Sequence, residues 1–188
     1  DGGHLSSVTL DNAMGIQLLV EHLIALGHQK LGFCHDTRNH QGAVIRFKTF
    51  LDLVRNHQLP LREEWYAPTD NTTAGGYQSA KRILGANEWP TAIIAFNDRS
   101  AFGCIQACVD HGIAVPEDIS VTGFDNIRMA ACYNPPLTTV SANYQELADI
   151  AASIASGQAH RAFGLAPAEG LLLERIEYDG LAWDPACG

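Results

Sequence analysis

Polar pairs follow three short apolar runs: His35-Asp36 after LGFC, Asn97-Asp98 after TAIIAF, and Asp125-Asn126 after ISVTGF. A carboxylate accepts hydrogen bonds and an amide both donates and accepts, so such residues at strand ends can hydrogen-bond a ligand. The same residue types also cap helices. For Asp98, which sits where a helix must start, capping and ligand contact stay open. Asp125 is better placed as a ligand acceptor, because Asn126 and Pro135 point to an irregular loop after it.

Other chemistry finds less support. Cys104, Cys108 and His111 fall at i, i+4 and i+7, one face of a helix, and could in principle hold zinc. No fourth ligand lies nearby in sequence, and Ala101, Ile105 and Val109 mark the helix as core-packed, so buried thiols are the better reading. The chain carries no HExxH, no GxxxxGK[ST] or GxGxxG phosphate loop and no GxSxG elbow. Gly75-Gly76 reads as a helix start. An enzyme, a cofactor or a metal would need a motif that these residues do not supply.

The elements that must position these pairs alternate in period. Ile16, Leu19, Val20, Leu23 and Ile24 recur at spacings of three and four behind the capping pair Asp11-Asn12, and Gly27 ends the helix. Lys30–His35 reads as a buried strand, Val44–His57 as a helix, Glu64–Ala67 as a weak strand and Thr73–Leu84 as a helix opened by Thr72 or Thr73. Thr91–Phe96 is the strongest strand. A helix capped by Asn97 or Asp98 runs from it to about His111, and Ile119–Phe124 is the next strand. A strand Leu137–Ser141, a helix from about Asn143 to Ser156, a loop Gly157–Gly170 and a strand around Leu171–Tyr178 complete the pattern. Strands and helices in this alternation predict an α/β fold, a parallel sheet flanked by helices, with ligands outside the carboxyl ends of the strands.

Composition sets the outer limits. The chain has 188 residues, with 46% hydrophobic and 18% charged, enough to bury a core. Its net charge of −9 makes it a poor binder of phosphate backbones in its own right. No apolar run approaches the roughly 20 residues of a membrane span. Five scattered cysteines do not make a disulfide framework and fit reduced thiols in the cytoplasm.

Four stretches in register carry a resemblance: VTLDNAMG…VEHLIALGHQKLGF (Val8–Phe33), PTAIIAFNDRSAFG (Pro90–Gly103), VPEDISVTGFDN (Val115–Asn126) and PPLTTV (Pro135–Val140). Together they resemble bacterial transcription regulators of the lactose-repressor/galactose-repressor (LacI/GalR) type. The resemblance covers nearly the whole chain. Periplasmic sugar-binding proteins of transport systems share the fold and fragments such as VTGFD, and form the alternative; PPLTTV and LIALGH look more like the regulators.

The resemblance implies a periplasmic-binding-protein-like type I fold and a definite division. Residues 1–28 would end an N-terminal subdomain, 29–139 would form the C-terminal subdomain, 140–160 would return to the first, and 161–188 would add a strand and tail to the second. The family's helix-turn-helix headpiece is not represented, so contact with DNA would pass through that segment. Half of one lobe would be missing, leaving Ile16, Leu19, Leu23, Ile150 and Ile154 poorly covered. The expected partners are a small effector, a sugar or sugar derivative, and a second copy of the chain in a homodimer.

The resemblance also implies a site. Arg46, in VIRFKTF, looks like the family's effector-binding arginine, its five donors suited to vicinal hydroxyls or a carboxylate; the alternative is a surface arginine. Thr49 stands where the family usually has Gly. Asn97 matches the strand-end amide and Asp125 the strand-end carboxylate. Tyr144 lies where the family often has an aromatic, a wall for a sugar face or an ordinary core residue. Asn71 replaces a frequent Trp or Phe, and Asp36 sits in a loop more polar than the family's.

Overall fold

The computed structural model describes residues 7–38, 40–141 and 174–177. Two compact units result: Asn12–Ser141, and the flanking segments Asp1–Asp11 with Ala142–Gly188. In the flanking unit, β1 (Ser7–Leu10) and β7 (Glu174–Glu177) pair antiparallel, Ser7 opposite Glu177. A strand was expected near residues 171–178, but as part of the second subdomain; its partner is instead β1. The expected helix Asn143–Ser156 and loop Gly157–Gly170 lie outside the described residues.

The unit Asn12–Ser141 is built on a five-stranded parallel sheet of order β3-β2-β4-β5-β6. These strands are β2 (Leu31–Asp36), β3 (Tyr66–Thr69), β4 (Ala92–Ile94), β5 (Ser120–Asp125) and β6 (Thr138–Ser141). Side chains alternate across it, as the pleat requires. Leu31, Phe33, Ala92, Ile94 and Phe124 face α1 (Asn12–Ala25) and α2 (Gln41–Asn56). Cys34, Ile93, Ala95 and Val121 face α3 (Thr73–Leu84) and α4 (Asp98–Asp110). The last two helices pack so closely that a Cβ on Gly103 would lie 2.0 Å from the carbonyl oxygen of Thr73.

The structure corrects the expected boundary at residue 28. Ile16, Leu19, Val20 and Leu23 of α1 are buried, packed in one cluster with Phe33, Phe50, Phe124 and Val140. The helix therefore belongs with this sheet, and the division falls at Asp11–Asn12. The same packing overturns the expectation that Ile16, Leu19 and Leu23 are left uncovered.

Smaller differences have local causes. The helix α2 starts three residues before Val44 because the His40 ring accepts from the Ala43 amide at 3.2 Å. The strand expected at Glu64–Ala67 begins at Tyr66, after a 3-10 turn Glu63–Trp65 that buries Trp65 and lets its indole donate to the Glu88 carbonyl at 2.7 Å. A short helix α5 (Arg128–Cys132) occupies part of the segment expected to be an irregular loop.

Candidate functional site

The chain runs from β2 out to β3, then back across to β4 on the other side of β2. Such a reversal splits the loops at the carboxyl end of the sheet, the place where ligands bind in open α/β sheets. Arg46 lies at this edge. It sits in the second turn of α2 and is only 5% exposed, which overturns the surface-arginine alternative. Its Nε donates to Asn12 Oδ1 at 2.7 Å, and one terminal nitrogen donates to the Phe96 carbonyl, just past β4, at 2.7 Å. The guanidinium carbon lies 3.6 Å from the Phe124 ring centroid and 4.6 Å from that of Phe96. The other terminal nitrogen faces Asp125 Oδ1 at 3.8 Å.

Asp125 ends β5 and is followed by a backbone that ordinary residues avoid. Its φ is +111° and that of Asn126 is +52°. Non-glycine residues with positive φ are uncommon, and they cluster where a fold holds a functional loop in place. The loop is held from below by Asp98, which is 1% exposed. The carboxylate of Asp98 accepts from the Ile127 amide at 2.7 Å and from the Thr139 hydroxyl at 2.5 Å. Burial, opposed by these hydrogen bonds and assisted by Asp125, pushes its pKa up to about 6.

A second polar group forms at the ends of β2 and β3. The Asp36 carboxylate accepts from the Arg38 amide at 2.9 Å, from His40 Nε2 at 2.8 Å and from Asn71 Nδ2 at 2.7 Å. Asn71 holds φ +67°, and its Oδ1 is buried without a hydrogen-bond partner. Its carbonyl accepts from Asn97 Nδ2 at 3.3 Å, which links this group to the end of β4.

Of the residues singled out in the sequence, Arg46 and Asp125 come together directly. Asp36, Asn71 and Asn97 form a connected set on the same edge of the sheet, and Tyr144 lies outside the described residues. Of the two candidate caps of α4, Asn97 is the one that caps it: its Oδ1 accepts from the Ser100 amide at 2.8 Å. Asp98 is neither the cap nor solvent-facing, but the anchor of the following loop. Asn12 and His40 were missed as contributors. The signal for His40 was a side-chain acceptor immediately before the helix; Asn12, read as a cap, gave no sign of reaching Arg46 across 34 positions. Among the described residues, no group of three His, Cys, Asp or Glu side chains is arranged to hold a metal ion.

A parallel α/β unit with a buried arginine and a loop-borne carboxylate at the carboxyl ends of its strands has the build of a ligand-binding lobe. The profile of the periplasmic binding protein-like domain family matches residues 20–162. The chain is 32% identical over 177 residues to the HTH-type transcriptional repressor PurR of Actinobacillus pleuropneumoniae serotype 3, covering 94% of this chain and 48% of that protein. It is also 32% identical over 148 residues to the HTH-type transcriptional regulator GalS of Salmonella typhimurium, covering 79% and 44%. The transcriptional repressor ascG of Escherichia coli superposes with a TM-score of 0.73 at 29% identity, over 81% of this chain and 57% of that one. This chain therefore belongs to the periplasmic binding protein-like domain family, and the relatives it resembles are transcriptional regulators. It spans about half the length of the curated relatives it matches. These relatives are transcription regulators, which does not favour the transport-protein alternative.

Proposed function

We propose that this chain is the effector-sensing part of a bacterial transcription repressor, and that a sugar or sugar derivative binds at the strand-end crevice around Arg46 and Asp125. The observation that carries this reading is the buried guanidinium of Arg46. It is clamped by Asn12 and the Phe96 carbonyl, flanked by two aromatic rings, and turned toward a carboxylate. A cation and an anion fixed side by side offer a donor and an acceptor to vicinal hydroxyls. Asn97, Asn71 and Asp36 supply the neighbouring rim. A solved relative is a sugar-binding transcriptional regulator of Escherichia coli, 26% identical with a TM-score of 0.76, covering 92% of this chain and 61% of that one.

Sensing is a binding event with no bond made or broken. Effector that prefers one arrangement of two lobes shifts the population toward it, and paired subunits then present their DNA-binding segments differently. Homodimerisation, DNA contact through a helix-turn-helix segment and a cytoplasmic location are parts of the same proposal. The free thiols of Cys34, Cys104, Cys108 and Cys132 support that location.

The experiment is a thermal-shift screen of the full-length gene product with D-glucose, D-galactose, D-ribose and adenine, followed by calorimetric titration. Arg46→Ala and Asp125→Ala should each weaken binding of the best sugar by about tenfold or more, the cost of losing a charged hydrogen-bond partner. Unchanged affinity in both variants would remove these residues from the site. A shift with adenine alone would redirect the ligand class.

A further inference from the structure

Asp98 is a costly residue in its place. It is 1% exposed, and its first neighbour among acidic groups is Asp125 at the end of the adjoining strand. A buried carboxylate is retained against such a cost when its oxygens do something that an apolar side chain cannot. Here they span two segments. One oxygen takes the Ile127 amide at 2.7 Å, and the other takes the Thr139 hydroxyl of β6 at 2.5 Å. Thr139 in turn receives the Asn126 amide at 3.3 Å. The two residues after Asp125 are thus tied, one directly and one through Thr139, to a single carboxylate at the start of α4. The β5 backbone runs against it: a Cβ on Gly123 would lie 2.3 Å from Asp98 Oδ1.

Between these anchors the chain makes its positive-φ step at Asp125 and Asn126. Two adjacent residues in that region persist only if their surroundings impose it. From this step the Asp125 carboxylate lies 3.8 Å from the Arg46 guanidinium. We infer that Asp98 is a positioning residue for the effector site: it fixes the loop after β5 so that the Asp125 carboxylate faces Arg46. This rests on the reading of Arg46 and Asp125 as effector contacts, and adds a residue that touches no ligand.

The test uses the full-length protein without ligand. Hydrogen exchange follows the Asn126 and Ile127 amides, and side-chain 15N resonances follow the Arg46 guanidinium. Asp98→Ala and Thr139→Val should each speed exchange at these amides by about tenfold or more, the effect of one buried hydrogen bond. Both should shift the Arg46 resonances. Asp98→Asn keeps an acceptor for Ile127 and gains a donor toward the Thr139 oxygen, so it should stay within about threefold of the parent. Unmoved Arg46 resonances in a folded Asp98→Ala protein overturn the inference. If that variant does not fold, the near-isosteric Thr139→Val decides by the same criterion. Loss of protection in Asp98→Asn as complete as in Asp98→Ala also overturns it, because the geometry that Asn preserves would then not be what holds the loop. Failure of the parent to bind any sugar in the screen would sink the effector reading and leave these ligand-free readouts standing.

Discussion

The two ends of the five-stranded sheet are built on opposite principles. At the amino end, one half-buried histidine ties three elements together: His28, just beyond α1, meets the Thr91 hydroxyl before β4 at 2.9 Å and the Ser120 hydroxyl of β5 at 3.1 Å. All three groups can be neutral. At the carboxyl end the buried polar groups include the charged Arg46, Asp98 and Asp36. Three of the four non-glycine residues with positive φ among the described residues, Asn71, Asp125 and Asn126, lie there too, while Gln58 sits at the amino end between α2 and β3. One edge holds register largely with neutral groups, and the other keeps the buried charges and most of the backbone strain. A sheet that keeps costly groups on one edge marks that edge as the working one.

The difference has an electrostatic signature, because the two edges respond to acid in opposite senses. Burial raises Asp98 from its ordinary 3.8 to about 6, so its protonated form fits the fold better. That contribution is fully present below about pH 4 and is lost as pH rises to about 6, on the order of 3 kcal/mol in all. Chemical denaturation of the parent between pH 6 and pH 4 should therefore show a rise relative to Asp98→Asn, which has no proton to take up. Equal pH slopes in the two proteins would break the contrast at its strongest point.

Next in size is Gly123→Ala. The added methyl would meet Asp98 Oδ1 at 2.3 Å and Leu137 Cδ2 at 2.8 Å. Relief requires the carboxylate or the strand to shift, and overpacking of this kind costs about 2 kcal/mol. Because the shift moves Asp98, sugar affinity should fall with stability, measured by titration alongside thermal melts. A variant that is destabilised with affinity intact would separate the core beneath the loop from the site above it.

The sequence exposed these two edges unequally. The parallel α/β layout followed from apolar runs and caps, because short-range pattern fixes it; Asp125 stood out as a strand-end carboxylate, and Arg46 only through the resemblance to a family. The role of α1 was misread: the spacing of Ile16, Leu19 and Leu23 announces an apolar face without saying which sheet covers it. Asp98 illustrates a second limit. Residue type placed it at a helix start, where it is, but its function comes from Ile127 and Thr139, 29 and 41 positions away. Burial of a carboxylate and the sign of φ at Asp125 are tertiary facts with no local signal. Nor did the sequence around His28 announce its two hydroxyl partners, 63 and 92 positions away.

At the amino end the effects should be smaller and of the other sign. Burial, with a lesser push from His22, lowers the His28 pKa below its ordinary 6.5. A depressed histidine favours the fold in its neutral form, so its contribution is present above pH 6.5 and fades as pH falls through the folded value. The group is partly exposed and solvent-screened, which keeps the pH effect small. His28→Ala, which removes both hydroxyl contacts, should cost about 1 kcal/mol at pH 7 and leave sugar affinity unchanged. Reduced affinity in that variant would couple the two edges and end the division between them.

The smallest expected effect lies where the strain is. Asn126 is exposed, with φ at +52°, and its backbone amide rather than its side chain reaches Thr139. Asn126→Gly removes the local cost of that conformation but frees the unfolded chain, so stability should change by no more than about 0.5 kcal/mol. Affinity is the sharper measurement. If hydrogen bonds from Asp98 and Thr139 hold the loop, glycine is tolerated and sugar binding stays within about twofold, less than one hydrogen bond is worth. If the intrinsic preference of asparagine for positive φ does the holding, the freed loop turns Asp125 away from Arg46 and binding weakens while stability does not. That outcome would move the origin of the geometry from the buried carboxylate to the loop's own residues.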